Sequence, residues 1–196
     1  MRDPGETSEA ILAAVASLLA DSSFDEITYR HVGEATRLSE RTVYRHFPTR
    51  SHLLAAVAAW LETQYFRTAA FSTWHEFDAA ISRRFREFDA LPDFAFLVAR
   101  AEAVSPIDET GLGFVAHAIE VLIEQTMPGL NRRDTQRMVA ALSYLSSAQF
   151  WARCRIGFTL NGEEIIDSSR ASRARVLATS PRAPEQSHLH DESVHT

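Results

Sequence analysis

The stretch Leu38–Arg50, LSERTVYRHFPTR, constrains the fold more than any other part of the chain. Ser39 is a good N-cap, no Gly or Pro interrupts Glu40 to Phe47, and Pro48 stops the run because a helix interior tolerates Pro poorly. The outcome is a helix of about two turns, too short to be stable in water by itself. It must dock on other helices, and its pattern says how. Val43 and Phe47 are four apart and share a face, while Arg41, Thr42, Tyr44, Arg45 and His46 occupy the rest. A short helix held by two apolar residues, with a basic and hydroxylated outer surface, suits insertion into a DNA major groove. Thr49 can cap the next helix, with Arg50 in its first turn.

The preceding residues supply the partners such a helix needs. Met1–Thr7 reads as a polar arm. Ile11, Leu12, Val15, Leu18 and Leu19 recur at three- and four-residue spacing, which gives a helix from Ser8 to Ala20. Asp21-Ser22-Ser23 breaks it, and Phe24 and Ile27 are apolar residues placed to plug a small core. Thr28 caps a second helix, Tyr29 to about Thr36, with Val32 and Ala35 inward. Helix, turn, helix, short turn, exposed helix is the order of a three-helix helix-turn-helix unit.

On these residues the chain resembles a known family. T-V-Y-R-H-F-P-T-R-S-H-L at Thr42–Leu53 is similar to the signature of TetR-family transcriptional regulators, and the wider match runs from about Ser8 to Leu61. The resemblance implies a DNA-binding head at residues 1–50 and a helical effector-binding and dimerisation domain at 51–179. It also implies roles. Tyr44 and His46 match positions that contact the DNA backbone, Arg50 stands where the family usually has a phosphate-binding Lys, and Glu40 occupies a base-contacting position. Chemistry adds the rest. Thr28, at a helix N-terminus, can donate to a phosphate. Arg30 and Arg41 are the base readers, since Arg is the commonest bidentate partner of guanine, and Thr42 can touch a thymine methyl. Arg45 shares the basic face. Glu40 can accept from cytosine N4 or simply favour the helix N-terminus, and the second reading is preferred.

Two positions depart from the family pattern. Arg37 replaces the usual turn glycine, and an Arg at positive φ costs about 1 kcal/mol, offset if it gains a phosphate contact. Gly33 lies inside the second helix where Ala is usual, a weakness of about 1 kcal/mol.

Net charge argues against nucleic acid until its distribution is considered. The chain of 196 residues carries a formal charge of −6. Yet Ile27 to Arg50 holds Arg30, Arg37, Arg41, Arg45 and Arg50 against only Glu34 and Glu40, so the acidic excess lies elsewhere. The lone Cys154 cannot form an intrachain disulfide, which fits a reducing cytoplasm. No signal peptide and no bilayer-spanning apolar run is expected, hence no membrane partner.

The remaining sequence reads as helix throughout, so the expected fold is all-α with about nine helices. Helix four runs from Ser51 to about Ala70, five from Trp74 to Ala90, six over Phe94–Val104, and seven over Ile107–Thr126 with Gly111 and Gly113 weakening its start. Asn131 or Asp134 opens helix eight, which continues to about Ile156, and Asn161 caps helix nine, to about Ala178. Residues 180–196 are polar and Pro-containing, which predicts a disordered tail; His188 and His190 within it hold no expected metal site.

Three classes of function are open to such a chain. A regulator needs a dimer and an effector. Met138, Leu142 and Leu145, with Ile165 and Val176, give helices eight and nine an apolar side for pairing with a second copy. The aromatic set Phe77, Phe94, Phe96, Phe114, Tyr144 and Trp151, with the polar groups Arg100, His117 and Gln149, is the candidate lining for a small apolar or aromatic effector. An enzyme is not expected, since no metal-ligand spacing, nucleophile elbow or phosphate loop occurs. No cofactor or metal is expected either. A helical interaction or structural domain without DNA binding is the alternative, but it leaves Leu38–Arg50 unexplained. The reading chosen is a regulator that binds a palindromic double-stranded operator.

Overall fold

Side-chain caps decide where most of the helices begin. Thr28, Ser39, Thr49, Thr73, Asn131, Ser147 and Asn161 each accept the backbone N–H three residues on, satisfying a donor that the helix cannot. The computed structural model describes residues 4–104 and 113–179. Within them lie ten helices: α1 (Pro4–Leu18), α2 (Tyr29–Thr36), α3 (Glu40–His46), α4 (Arg50–Gln64), α5 (Trp74–Ala90), α6 (Pro92–Val104), α7 (Gly113–Thr126), α8 (Arg132–Leu145), α9 (Ala148–Gly157) and α10 (Gly162–Ala178). No strand occurs among the described residues. The fold is all-α, as the periodicity requires.

Among the described residues three departures from the sequence reading are larger than a shift of one or two residues. α1 begins at Pro4 rather than Ser8, because Pro suits a first helical turn and Thr7 is buried. α4 ends at Gln64 rather than near Ala70. Phe66 turns fully into the core, its ring 4.8 Å from that of Phe88, and its carbonyl accepts from Arg84 at 3.2 Å. Packing therefore overrides the helical pattern there. The long helix expected from Asn131 to Ile156 is two helices, α8 and α9. Ser146 Oγ donates to the carbonyl of Leu142, Ser147 Oγ donates to that of Tyr144, and Ser147 also caps α9. Such local bonds compete with helix continuation. Gly111, the first part of helix seven, and the tail with His188 and His190 lie outside the described residues.

One hydrophobic core runs through the whole molecule, from Ile11 and Val15 through Val43, Leu53, Val57 and Leu61 to Phe85, Phe88, Trp151 and Ile165. Fully burying one such side chain contributes about 1.5–3 kcal/mol. α4 packs on α1 at one end and along α6, α6 lies against α9, α7 against α8, and α10 against α8 and α5. Among the described residues no helix is long and apolar enough to cross a membrane.

Two polar clusters are built into this packing. On α10, Arg170 and the buried Arg173 both donate to Asp78 of α5, at 2.9 and 2.5 Å. Burial alone would raise the Asp78 pKa, but the two Arg bonds together outweigh it and leave it lowered. In the centre, Arg84 of α5 pairs with Glu62 of α4 at 2.5 Å, and Glu102 of α6 accepts the backbone N–H of Gln149 at 3.1 Å at the start of α9. Burial is the main cause that raises the pKa of both glutamates, against the pull of Arg84.

Candidate nucleic-acid interface

α3 is positioned by its two apolar residues. Val43 is fully buried and Phe47, at its C-cap, nearly so. Tyr29 of α2 donates its hydroxyl to the Phe47 carbonyl at 2.7 Å, tying the start of α2 to the end of α3. Glu40, Arg41, Tyr44 and Arg45 face solvent, with Tyr44 56% exposed and its ring edge-on to Tyr29 at 6.2 Å. This outer surface offers guanidinium and hydroxyl donors with no buried partner to give up, which is the chemistry that phosphate oxygens and base edges accept. Thr42 is half-buried, its hydroxyl 2.8 Å from that of Ser39.

The turn between α2 and α3 explains both departures from the family pattern. Arg37 adopts φ 59°, ψ 33°, the left-handed conformation that usually calls for glycine. The chain closes there through Leu38 N–H to the Gly33 carbonyl at 2.9 Å. A Cβ on Gly33 would lie 2.8 Å from the Leu38 carbonyl oxygen. Gly33 is thus no mere weakness of α2: it makes room for the turn that Arg37 shapes. Arg37 and Arg45 flank a cleft of about 300 Å³ with Thr36, Leu38 and Thr42.

Other candidates are held less freely. Thr28 caps α2, accepting from His31 N–H at 3.2 Å, and its own N–H donates to His31 Nδ1. Arg30 is exposed and 3.9 Å from Glu34. His46 Nδ1 lies 2.9 Å from Ser8 Oγ, so α1 orients its ring. Arg50 turns inward. Its guanidinium donates to the carbonyls of Phe24 and Ile27 and lies 4.2 Å over the Phe24 ring. The family's phosphate-binding position is here occupied by a side chain whose donors grip the α1–α2 turn. Ser8, Tyr29 and His31 were not singled out in the sequence. Thr28-x-x-His31 was the available signal, but His is not the usual Glu or Gln of a capping box.

Of the proposed effector residues the structure brings Phe96 and Arg100 to one cleft, beside Phe24, and does not gather the others there. Phe77 and Trp151 are core residues, and Trp151 donates to Asp89 at 3.0 Å. The Phe96 ring lies tilted against Trp151 at 5.0 Å, and the Phe94 ring tilted against Tyr65 at 5.3 Å. Phe114 and Tyr144 are 57% and 50% exposed, and His117 also faces solvent. Gln149 is half-buried. Arg100 is correctly polar but engaged with Asp25, far from these rings in sequence. Of the dimer set, Met138, Leu142 and Ile165 are covered within the chain itself, so they cannot lose surface to a partner; Leu145 and Val176 remain half-exposed. Among the described residues no group of three or more His, Cys, Asp and Glu side chains could hold a metal ion.

A basic α3 facing solvent over a tight α2–α3 turn is the arrangement found in helix-turn-helix DNA-binding proteins. Residues 11–57 match the family described as "Bacterial regulatory proteins, tetR family". A solved structure, a TetR transcriptional regulator from Rhodococcus sp. RHA1, shares the fold with a TM-score of 0.65 at 15% identity, over 91% of this chain and 100% of that one. No curated protein matches the sequence. Residues 11–57 thus carry a region like that of tetR-family regulators, and this likeness supports a DNA-binding transcriptional regulator.

Proposed function

We propose that the protein is a cytoplasmic, homodimeric repressor that leaves a palindromic operator when a small apolar or aromatic effector binds among α5 to α9. The observation that carries the DNA half of this reading is α3 itself. It buries Val43 and directs Glu40, Arg41, Tyr44 and Arg45 outward together. Arg41 reads guanine, Tyr44, Arg45 and Arg37 hold phosphates, and Thr28 donates from the N-cap of α2. Two such helices in a dimer stand about 34 Å apart, or a multiple of it.

The effector half rests on the packed rings of Phe85, Phe88, Phe96, Phe150 and Trp151, which an apolar guest must part. Coupling to DNA requires that the guest prefer a conformer with wrongly placed recognition helices. α4 carries that preference, since it joins Leu53 and Leu54 near the head to Glu62 beside Arg84. No catalytic role is assigned.

Fluorescence anisotropy with DNA from the chain's own upstream region tests the reading. Arg41→Ala should relax sequence preference, whereas Arg45→Ala should weaken binding to all sequences and reduce the salt slope by about one. A wild-type protein that binds no DNA at any salt returns the molecule to the class of helical interaction domains. Effector binding, followed by Trp quenching, should weaken in the presence of operator by the same factor as the effector weakens DNA binding.

A further inference from the structure

The turn that precedes α2 is held from two sides. From the first turn of α4, Arg50 grips the carbonyls of Phe24 and Ile27. From α6, Arg100 donates through both terminal nitrogens to both oxygens of Asp25, at 2.8 and 2.9 Å. Both guanidinium groups approach the buried Phe24 ring, Arg50 at 4.2 Å and Arg100 at 5.9 Å from its centre. Beside the second grip the packing of α6 against the head is locally open. A cleft of about 420 Å³ opens there, lined by Leu19, Phe24, Asp93, Phe96, Leu97 and Arg100. Across that gap the bond between α6 and the turn is polar and bidentate, with fixed direction, and not a packed contact.

We infer that Asp25 and Arg100 are positioning residues for DNA recognition, a latch through which α6 sets the angle of the α2–α3 unit independently of α4. The turn runs directly into Thr28, the cap of α2, and α2 fixes α3 through Tyr29 and the Gly33–Arg37 turn. A shift of α6 therefore reaches the recognition helix in three steps: Arg100, Asp25, Thr28. This rests on the reading of α3 as the DNA-contacting element. The latch holds the DNA-binding arrangement, so that parting the pair lowers affinity without unfolding the head. Both residues are substantially exposed, Asp25 by 69% and Arg100 by 46%, so either can be replaced with little loss of packing.

The test is a charge cycle on the full-length protein. Asp25→Asn removes a negative charge and Arg100→Gln a positive one. If these charges act on DNA only through its general field, the first substitution strengthens binding and the second weakens it. The latch requires both to weaken it, by about two- to fivefold, as suits an exposed pair. The swap Asp25→Arg with Arg100→Asp leaves net charge unchanged and should restore wild-type affinity to within about twofold. Amide exchange over residues 19–28 gives a readout that needs no DNA: the two single variants should exchange faster there, and the swap like wild type. Single variants that move in opposite directions, unchanged affinity, or a swap no better than the singles overturns the latch. Should wild type bind no DNA, the function reading falls, and exchange alone decides whether the latch holds the turn.

Discussion

Arg37 occupies a backbone conformation that an L side chain adopts only at a cost, and Gly33 allows it to do so. The two therefore make opposite predictions. Arg37→Gly should stabilise the fold toward urea by about 1 kcal/mol, since the left-handed φ of 59° ceases to be strained. The same variant should bind DNA more weakly and with a shallower salt slope, having lost a cation at the cleft with Arg45. Gly33→Ala should lower stability although Ala is the better helix former, because its Cβ meets the Leu38 oxygen at 2.8 Å. A gain in stability from Gly33→Ala would show that the turn relaxes easily. At the half-buried Glu102, desolvation raises the folded pKa above the ordinary 4.5. The native state then holds the proton more tightly than the unfolded chain. Stability falls as pH rises from that ordinary value to the folded one, and it stays lower at neutral pH. Glu102→Gln should remove this loss while keeping an acceptor for Gln149 N–H. Its urea midpoint relative to wild type should therefore be most favourable at neutral pH and decline on mild acidification. Asp78 acts oppositely, losing stability only as pH falls below the ordinary aspartate value.

At the level of elements, what the sequence made legible was local. Thr28, Ser39, Thr49, Asn131 and Asn161 mark helix starts through bonds that span three residues, and their meaning is contained in the immediate sequence. Val43 and Phe47 likewise announce the buried side of α3. The end of α4 was not legible, because Phe66 leaves the helix to meet Phe88. The break at Ser146-Ser147 was missed for a related reason: the apolar stripe continues across it, and two serines within a periodic run do not by themselves say that the chain turns. The partners of Arg50 and Arg100 lie 23 and 75 residues away, a distance at which spacing carries no information. Sequence alone therefore suggests a phosphate contact for Arg50 and an effector contact for Arg100, where the structure has intramolecular bonds. The break itself is testable. Ser147→Ala removes the cap of α9 and should cost about 1 kcal/mol in urea unfolding. If α8 and α9 merely kink one continuous helix, the substitution will be neutral or stabilising.

For the whole molecule the open question of assembly is set by which apolar side chains the chain leaves uncovered. Leu142 is fully buried inside one copy, whereas Tyr144 on the same helix is half-exposed. Tyr144→Glu should yield a monomer of unchanged helicity by light scattering and circular dichroism, with weaker operator binding. Leu142→Asp should instead unfold the protein, because a buried unpaired charge has nowhere to go. A Tyr144→Glu protein that remains dimeric would move the interface away from this face of α8.

The pinning of α10 to α5 bears on the order in which the molecule is made. Asp78 waits for Arg170 and Arg173, partners 92 and 95 positions downstream. The contacts within α1 to α3, by contrast, join residues no more than 38 positions apart among the side-chain bonds described. During synthesis the head can close while α10 has yet to be translated, since domains fold as they emerge at about 5–20 residues per second. For an interval of several seconds a basic, folded reading unit is thus tethered to a half whose Phe77 and Asp78 are still uncovered. Chaperones that engage nascent apolar segments should meet this chain between the emergence of α5 and that of α10, and ribosome profiling of chaperone-bound chains would place their footprint in that window.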